Sequence, residues 1–142
     1  MAIQEFDGLL NTSPKCLLYR HLVSTFNLQP FLSKPIPNLY KRCIIKIRLC
    51  SHNLAIEQGR YINVDRRCRY CKYCSTEIED EMHFILLCPL YVHLRKTFIK
   101  PYYWRKPSVF KLVQLLSTTN VKELCSLGKY IYRSFQLRDF CF

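Results

Sequence analysis

The chain has 142 residues, 49% hydrophobic and 14% aromatic, with 22 Lys+Arg against 10 Asp+Glu and a formal charge of +12. These proportions exclude an intrinsically disordered chain and supply the apolar material for one compact domain. No apolar run approaches the roughly 18 residues of a membrane span. Met1–Phe6 lacks the basic-then-apolar order of a secretory signal, so neither a membrane nor an export role is expected.

In chain order, Thr12-Ser13-Pro14 predicts a helix start: a hydroxyl caps free N–H groups and proline takes the first helical position. Leu18, Leu22 and Phe26, with Tyr19 and Val23, follow on one face. Residues Asn27 to Pro37 carry Pro30, Pro35 and Pro37 and predict a loop, with Phe31 and Leu32 available to pin it to the core. A helix is expected over Asn38–Cys50, with Tyr40, Ile44, Ile47 and Cys43 on its apolar stripe and Lys41, Lys46 and Arg48 pointing elsewhere. Its Ile44-Ile45 pair keeps a strand as the alternative. Ser51–Gln58 predicts a short helical turn ended by Gly59.

Pro89 opens a helix to about Ile99 with Leu90, Leu94 and Phe98 on one face. Pro101 and Pro107 bracket an aromatic-basic loop, Tyr102-Tyr103-Trp104-Arg105-Lys106. Ser108 is expected to cap Val109–Leu116, with Val109, Leu112, Val113 and Leu116 inward. Asn120 and Glu123 resemble a capping box before a last helix whose buried stripe is Leu124, Leu127, Ile131 and Phe135, despite Gly128. The expected fold is mostly α: a small helical domain around one zinc knuckle. It divides into an N-terminal helix and Pro-rich loop (1–37), a zinc-binding core (38–99) and an aromatic-basic loop with a C-terminal helical pair (100–142).

The sharpest chemical signal is Cys71-x2-Cys74-x8-His83-x4-Cys88, three thiolates and one imidazole within eighteen residues. That is the donor set of a closed tetrahedral zinc site. Residues five apart on a regular helix are rotated by about 140°, so His83 and Cys88 cannot share a face if the segment is regular through both. Pro89 offers the way out by ending the helix before Cys88. Cys68, Cys71 and Cys74 are equally spaced, and a rival register pairs Cys68 with Cys71. The shorter connection to His83 favours Cys71 and Cys74.

A catalytic zinc keeps a position open for water, whereas four strong donors leave none; no catalytic residue is expected, and Glu81 as a general base is the weakest option. The acidic run Glu77, Glu79, Asp80 and Glu81 is expected as a solvated helix start, with orientation of His83 as the alternative. His21, His52 and His93 have no ligand-spaced partners. An odd count of nine cysteines, three at metal spacing, predicts a reducing intracellular compartment, with Cys16, Cys43, Cys50, Cys125 and Cys141 as small buried hydrophobes.

The basic excess predicts a polyanionic partner. Lys41–Lys72 carries nine basic and two acidic residues; Arg95–Lys111 carries six basic and none acidic, interleaved with Tyr102, Tyr103 and Trp104. Candidate nucleic-acid contacts are Arg60, Arg66, Arg67, Arg69, Lys72, Arg105, Lys106 and Trp104, with RNA or single-stranded DNA favoured over duplex because no basic recognition helix stands out. For the aromatics the alternative is burial over the core.

The block from His52 to Tyr61 reads H-x-L-x-I-E-x-G-R-Y, Glu79 to Phe84 reads E-D-E-x-H-F, and Cys88 to Tyr91 reads C-P-x-Y. In that order around a C-x2-C they resemble the zinc-binding tails of non-LTR retrotransposon reverse transcriptases, from Arg42 through Phe98 and on to the Leu127–Tyr132 segment. The resemblance implies Cys71, Cys74, His83 and Cys88 as the zinc ligands, and a tail that helps to hold element RNA or target DNA. The extra Cys68 and a shorter Cys74–Ile78 connection depart from the family pattern. No Tyr/Phe-x-Asp-Asp signature is present, so the polymerase chemistry of that family has no counterpart here.

Overall fold

The computed structural model describes residues 33–49 and 51–141. The expected helix start at Thr12-Ser13-Pro14, its apolar face, Pro30, Phe31, Leu32, Cys16 and Cys50 lie outside those residues.

The described chain is mostly helical: α1 (Asn38–Arg48), α2 (Ala55–Tyr61), α3 (Val92–Phe98), α4 (Pro101–Arg105), α5 (Val109–Leu116) and α6 (Val121–Cys141). Between α2 and α3 lie a 3-10 turn at Arg66–Cys68, a π-helical turn at His83–Leu87 and a 3-10 turn at Pro89–Tyr91. Extended pairing among the described residues is confined to one antiparallel bridge, Tyr70 to Ile78. No helix among them is long and apolar enough to cross a membrane.

The long α6 is the spine, with α1 and α3 packed along it. The α1 segment is helical rather than extended: Ile44 and Ile47 fall three apart and are fully buried, so one helical stripe satisfies both β-branched residues. It packs tightly on α6 at Gly128, where an added Cβ would lie 2.3 Å from the Cβ of Tyr40. The glycine that weakens helical propensity is thus what lets the two backbones meet. Arg48 does not project outward as expected; it is 1% exposed, and burial lowers its pKa to about 10, still charged at neutral pH.

Several local expectations are corrected. Gly59 does not end α2 but sits buried inside it, leaving room for the Arg69 side chain, whose Cγ is 2.6 Å from where a Cβ would stand. The stretch between Pro101 and Pro107 is not a loop, because Pro101 occupies the first turn of α4, where its missing N–H costs nothing. In α5, Ser108 accepts from the Lys111 N–H as expected, but Val109 is 46% exposed and Leu115 takes the inward place. At α6, Asn120 Oδ1 accepts from the Glu123 N–H, while the Glu123 carboxylate turns to Thr118 and Lys100 instead of closing the box. The buried stripe of α6 continues from Leu124, Leu127 and Ile131 through Ser134 and Arg138, and Phe135 is only half-buried.

Candidate metal centre

The region 69–91 is built on backbone hydrogen bonds. Glu79 N–H donates to Arg69 (2.9 Å) and Cys71 N–H to Glu77 (2.7 Å), closing a narrow hairpin at the Tyr70–Ile78 bridge. Inside it, Ser75 N–H reaches back to the Cys71 carbonyl (2.8 Å), with Ser75 in the left-handed region at φ 67°. This turn places Cys71 and Cys74 on the same inner side.

The second pair comes from the acidic stretch. Asp80 Oδ1 caps the helical start by accepting from His83 N–H at 2.8 Å. The chain then winds as a π-turn, and Cys88 N–H bonds to the His83 carbonyl (2.7 Å), an i→i+5 closure. A wider turn rotates less per residue, so five residues complete nearly one revolution and both side chains return to one side. The rotation conflict on a regular helix is therefore resolved within the turn. Cys88 itself is extended (φ −63°, ψ 126°), as expected before Pro89.

Cys71, Cys74, His83 and Cys88 converge with all donor atoms within 4.8 Å of one another, a group able to hold a metal ion. Cys74 Sγ lies 3.5 Å from His83 Nε2, and Cys88 Sγ is 3.9 Å from each of the Cys71 and Cys74 sulfurs. Cys68 is exposed and stands outside the group. Burial pushes the Cys88 thiol far up, against a Leu90 N–H that favours the thiolate, and the neighbouring sulfurs push it further. Burial likewise raises Cys74. His83 is lowered by burial, only partly offset by Asp80 and the nearby glutamates, so its imidazole is neutral and able to coordinate at neutral pH. Without a cation Cys74 and Cys88 hold their protons, which a bound metal ion would have to displace.

Around the donors, α3 and α6 hold the carbonyls that the π-turn leaves open. Tyr130 donates to the Phe84 carbonyl (2.6 Å) and accepts from Arg95 Nη2 (3.2 Å). Arg95 also donates from Nε to Ile85 (2.9 Å) and from Nη2 to Cys88 (2.8 Å). Burial raises the Tyr130 pKa to about 12, so the hydroxyl keeps its proton to donate.

The acidic run does start the helical segment, with Glu77 exposed and Asp80 as its cap, but Glu79 and Glu81 are buried rather than solvated. Glu79 is 1% exposed and accepts from Ala55 N–H (2.7 Å) and from Nη2 and Nε of Arg138 (2.7 and 2.9 Å). Glu81 meets His52 Nε2 at 2.8 Å, a structural pairing outside the donor group.

The candidate cations separate by exposure. Arg67, Lys72, Arg105 and Lys106 are exposed, and Arg60 and Arg66 are half-buried. Arg69 is withdrawn: it is 8% exposed, with its guanidinium on the Ile56 (2.7 Å) and Val64 (3.0 Å) carbonyls. Trp104 is half-buried against the core with its indole N–H on the Ile99 carbonyl (2.9 Å), and Tyr103 is buried. Tyr102 is tied to Gln114 (2.9 Å) and sits under the Lys111 ammonium. Burial over the core, the alternative held open for these aromatics, is where Tyr103 and Trp104 are found, while Tyr102 stays 50% exposed.

Comparison with protein-family models, with curated proteins and with solved structures found no match.

Arg95, Tyr130 and Arg138 are the supporting residues that sequence reasoning missed. A signal existed for one of them: Arg138 extends the apolar spacing of Leu124, Leu127 and Ile131, and a cation on a core-facing stripe implies a buried partner. Arg95 was hidden in a run of other cations and counted as surface charge.

Proposed function

We propose that the protein is a zinc-stabilised, non-catalytic module, akin to the tail of a non-LTR retrotransposon reverse transcriptase without its polymerase, and that it binds RNA or single-stranded DNA through basic surface. The observation carrying the zinc assignment is the spacing of the donors. Bond lengths of about 2.3 Å to sulfur and 2.0–2.1 Å to nitrogen around a tetrahedral centre imply S···S edges of about 3.8 Å and S···N edges of about 3.5 Å. Three of the six separations, 3.9, 3.9 and 3.5 Å, lie close to those edges, and all six are within 4.8 Å. Three soft sulfurs with one imidazole also select zinc over the harder divalent cations.

What supports the kinship is that several of its motif residues have a task around this centre. His52 holds Glu81, Glu79 receives Arg138, Asp80 caps the ligand-bearing turn, and Gly59 admits Arg69. The bound zinc would hold the hairpin and the π-turn together, and the four protein donors fill its shell. Exposed Arg67, Lys72, Arg105 and Lys106 remain to meet phosphates.

The deciding experiment is a titration of zinc-loaded protein against RNA, single-stranded DNA and duplex at two salt concentrations. Affinity for the single strands should fall steeply with salt, and Arg105→Ala/Lys106→Ala should weaken it broadly across sequences. A second reading, a scaffold or protein-interaction module, rests on Phe110 (73% exposed) and Phe140 (89% exposed). Failure to bind any strand at low salt, with zinc bound, would favour it.

A further inference from the structure

Beside the metal-ligating hairpin, on the side of α2, is an open cleft of about 380 Å³. Ile62 and Val64 give it apolar surface, Asn53 and Gln58 bring exposed carboxamides, and Tyr70 and Lys72 stand on its hairpin side. None of the residues lining it is a carboxylate. Arg69, lodged against Gly59, also lines it and is held by the two backbone carbonyls that fix its guanidinium.

Tyr70 is the informative residue. It is 46% exposed, and the backbone on either side of it is held by the two hydrogen bonds that flank the Tyr70–Ile78 bridge. A large ring displayed on hydrogen-bonded backbone is a ready stacking surface, whereas Tyr103 and Trp104 pack against the core and Tyr102, though 50% exposed, is tied to Gln114 and covered by the Lys111 ammonium. Carboxamides offer both a donor and an acceptor to a flat polar-edged ring, which an apolar side chain would leave unused. An ammonium at the cleft and the exposed guanidinium of Arg67 nearby in sequence, its Nε 3.6 Å from Asp65 Oδ1, suit a ring attached to phosphate.

We propose that this cleft seats an unpaired nucleobase of a single strand, stacked on Tyr70, with Lys72 at the adjoining phosphate. The assignment rests on the nucleic-acid reading above and adds where and how a base is held. Every base has a π-face, so stacking here is sequence-tolerant, with Asn53 and Gln58 supplying any preference.

The test uses the zinc-loaded full chain and two labelled strands of equal length, oligothymidylate and an abasic strand that keeps the phosphates but lacks the bases. Wild type should bind oligothymidylate about tenfold more tightly than the abasic strand. Tyr70→Leu, checked for zinc content and helical circular dichroism, should erase that gap while keeping abasic affinity. In the wild type, oligothymidylate should also shield Cys68, which lines the cleft, from alkylation as read by mass spectrometry. Strand binding that leaves Cys68 reactive, or a gap that survives Tyr70→Leu, overturns the proposal and leaves the nucleic-acid reading standing. Shielding of Cys68 by an aromatic-bearing peptide but not by the strand assigns the cleft to a protein partner and overturns it too. Binding of neither strand by wild type overturns both.

Discussion

Arg138, near the end of α6, delivers two hydrogen bonds to Glu79 across 59 residues of sequence, just ahead of the turn that carries His83. The pair is buried on both sides, with side chains 10% and 2% exposed. Removing one member strands a charge in low dielectric. Arg138→Leu should therefore cost on the order of 3 kcal/mol in urea unfolding. Glu79→Gln in the same chain should recover part of that loss, because an amide tolerates burial better than an unpaired carboxylate. Equal losses in the single and double variants would show that the ion pair is not what stabilises this contact.

Tyr130→Phe removes one hydroxyl and leaves two groups short, the Phe84 carbonyl and one Arg95 N–H. A loss of about 1–3 kcal/mol in thermal or urea unfolding is expected. Zinc affinity should weaken in parallel, since the same hydroxyl fixes the π-turn between two ligands. A variant as stable as wild type would show that Arg95 alone suffices.

Metal binding should depend on pH with a definite sign. Burial raises Cys74 and Cys88 above the ordinary thiol value of 9.0, so their protons must leave when zinc binds. Zinc affinity should therefore fall as pH falls, with protons released to buffer in calorimetry. The metal-free fold behaves oppositely on the alkaline side. Thiols whose folded pKa is raised stabilise it below the ordinary thiol range and lose that contribution as pH climbs through their folded values. His83 is depressed by burial, so its contribution holds above pH 6.5 and is lost as pH falls toward its folded value. An apo-protein whose stability is flat from neutral to alkaline pH would contradict the thiol shifts.

Gly128→Ala would ordinarily strengthen a helix by about 1 kcal/mol. Here the new methyl would lie 2.3 Å from Tyr40 Cβ and 3.0 Å from its Cα, so α1 must move off α6. A net loss of about 1–3 kcal/mol in urea unfolding is expected. A gain in stability would mean that the two helices separate without penalty.

The register of the donor set has its own test. Native mass spectrometry should find one zinc per chain, retained in Cys68→Ser and lost in Cys74→Ser or Cys88→Ser. Retention in Cys74→Ser with loss in Cys68→Ser would reverse the assignment.

Much of this was legible in the chain because short-range patterns carry it. Ser108 as a cap, Asn120 as half of one, Pro89 as a helix opener and the stripe on α1 all follow from residues within a turn of one another. The convergence of Cys71, Cys74, His83 and Cys88 was legible for the same reason, since all lie on one short hairpin and the turn after it. What was not legible depended on partners far away. Glu79 looks like surface acid until Arg138 arrives from another helix, and Glu81 until His52 does. Arg95 looks like one more cation for phosphate until Ile85, Cys88 and Tyr130 surround it. The π-turn was hidden for a different reason: it departs from regular winding, and periodicity assumes none.

That departure also sets an order of assembly. Because the Cys88 N–H is bonded to the His83 carbonyl, two of the four ligands are joined by a ring of main chain that requires no ion. The Cys71–Ser75 turn is closed in the same way. A zinc ion held there, as proposed, would meet two prepared halves and contribute the link between them. Amide exchange should register this as two layers of protection: the Cys88 and Ser75 amides slowed already in the apo-protein, and both slowed further, together, once the halves are joined.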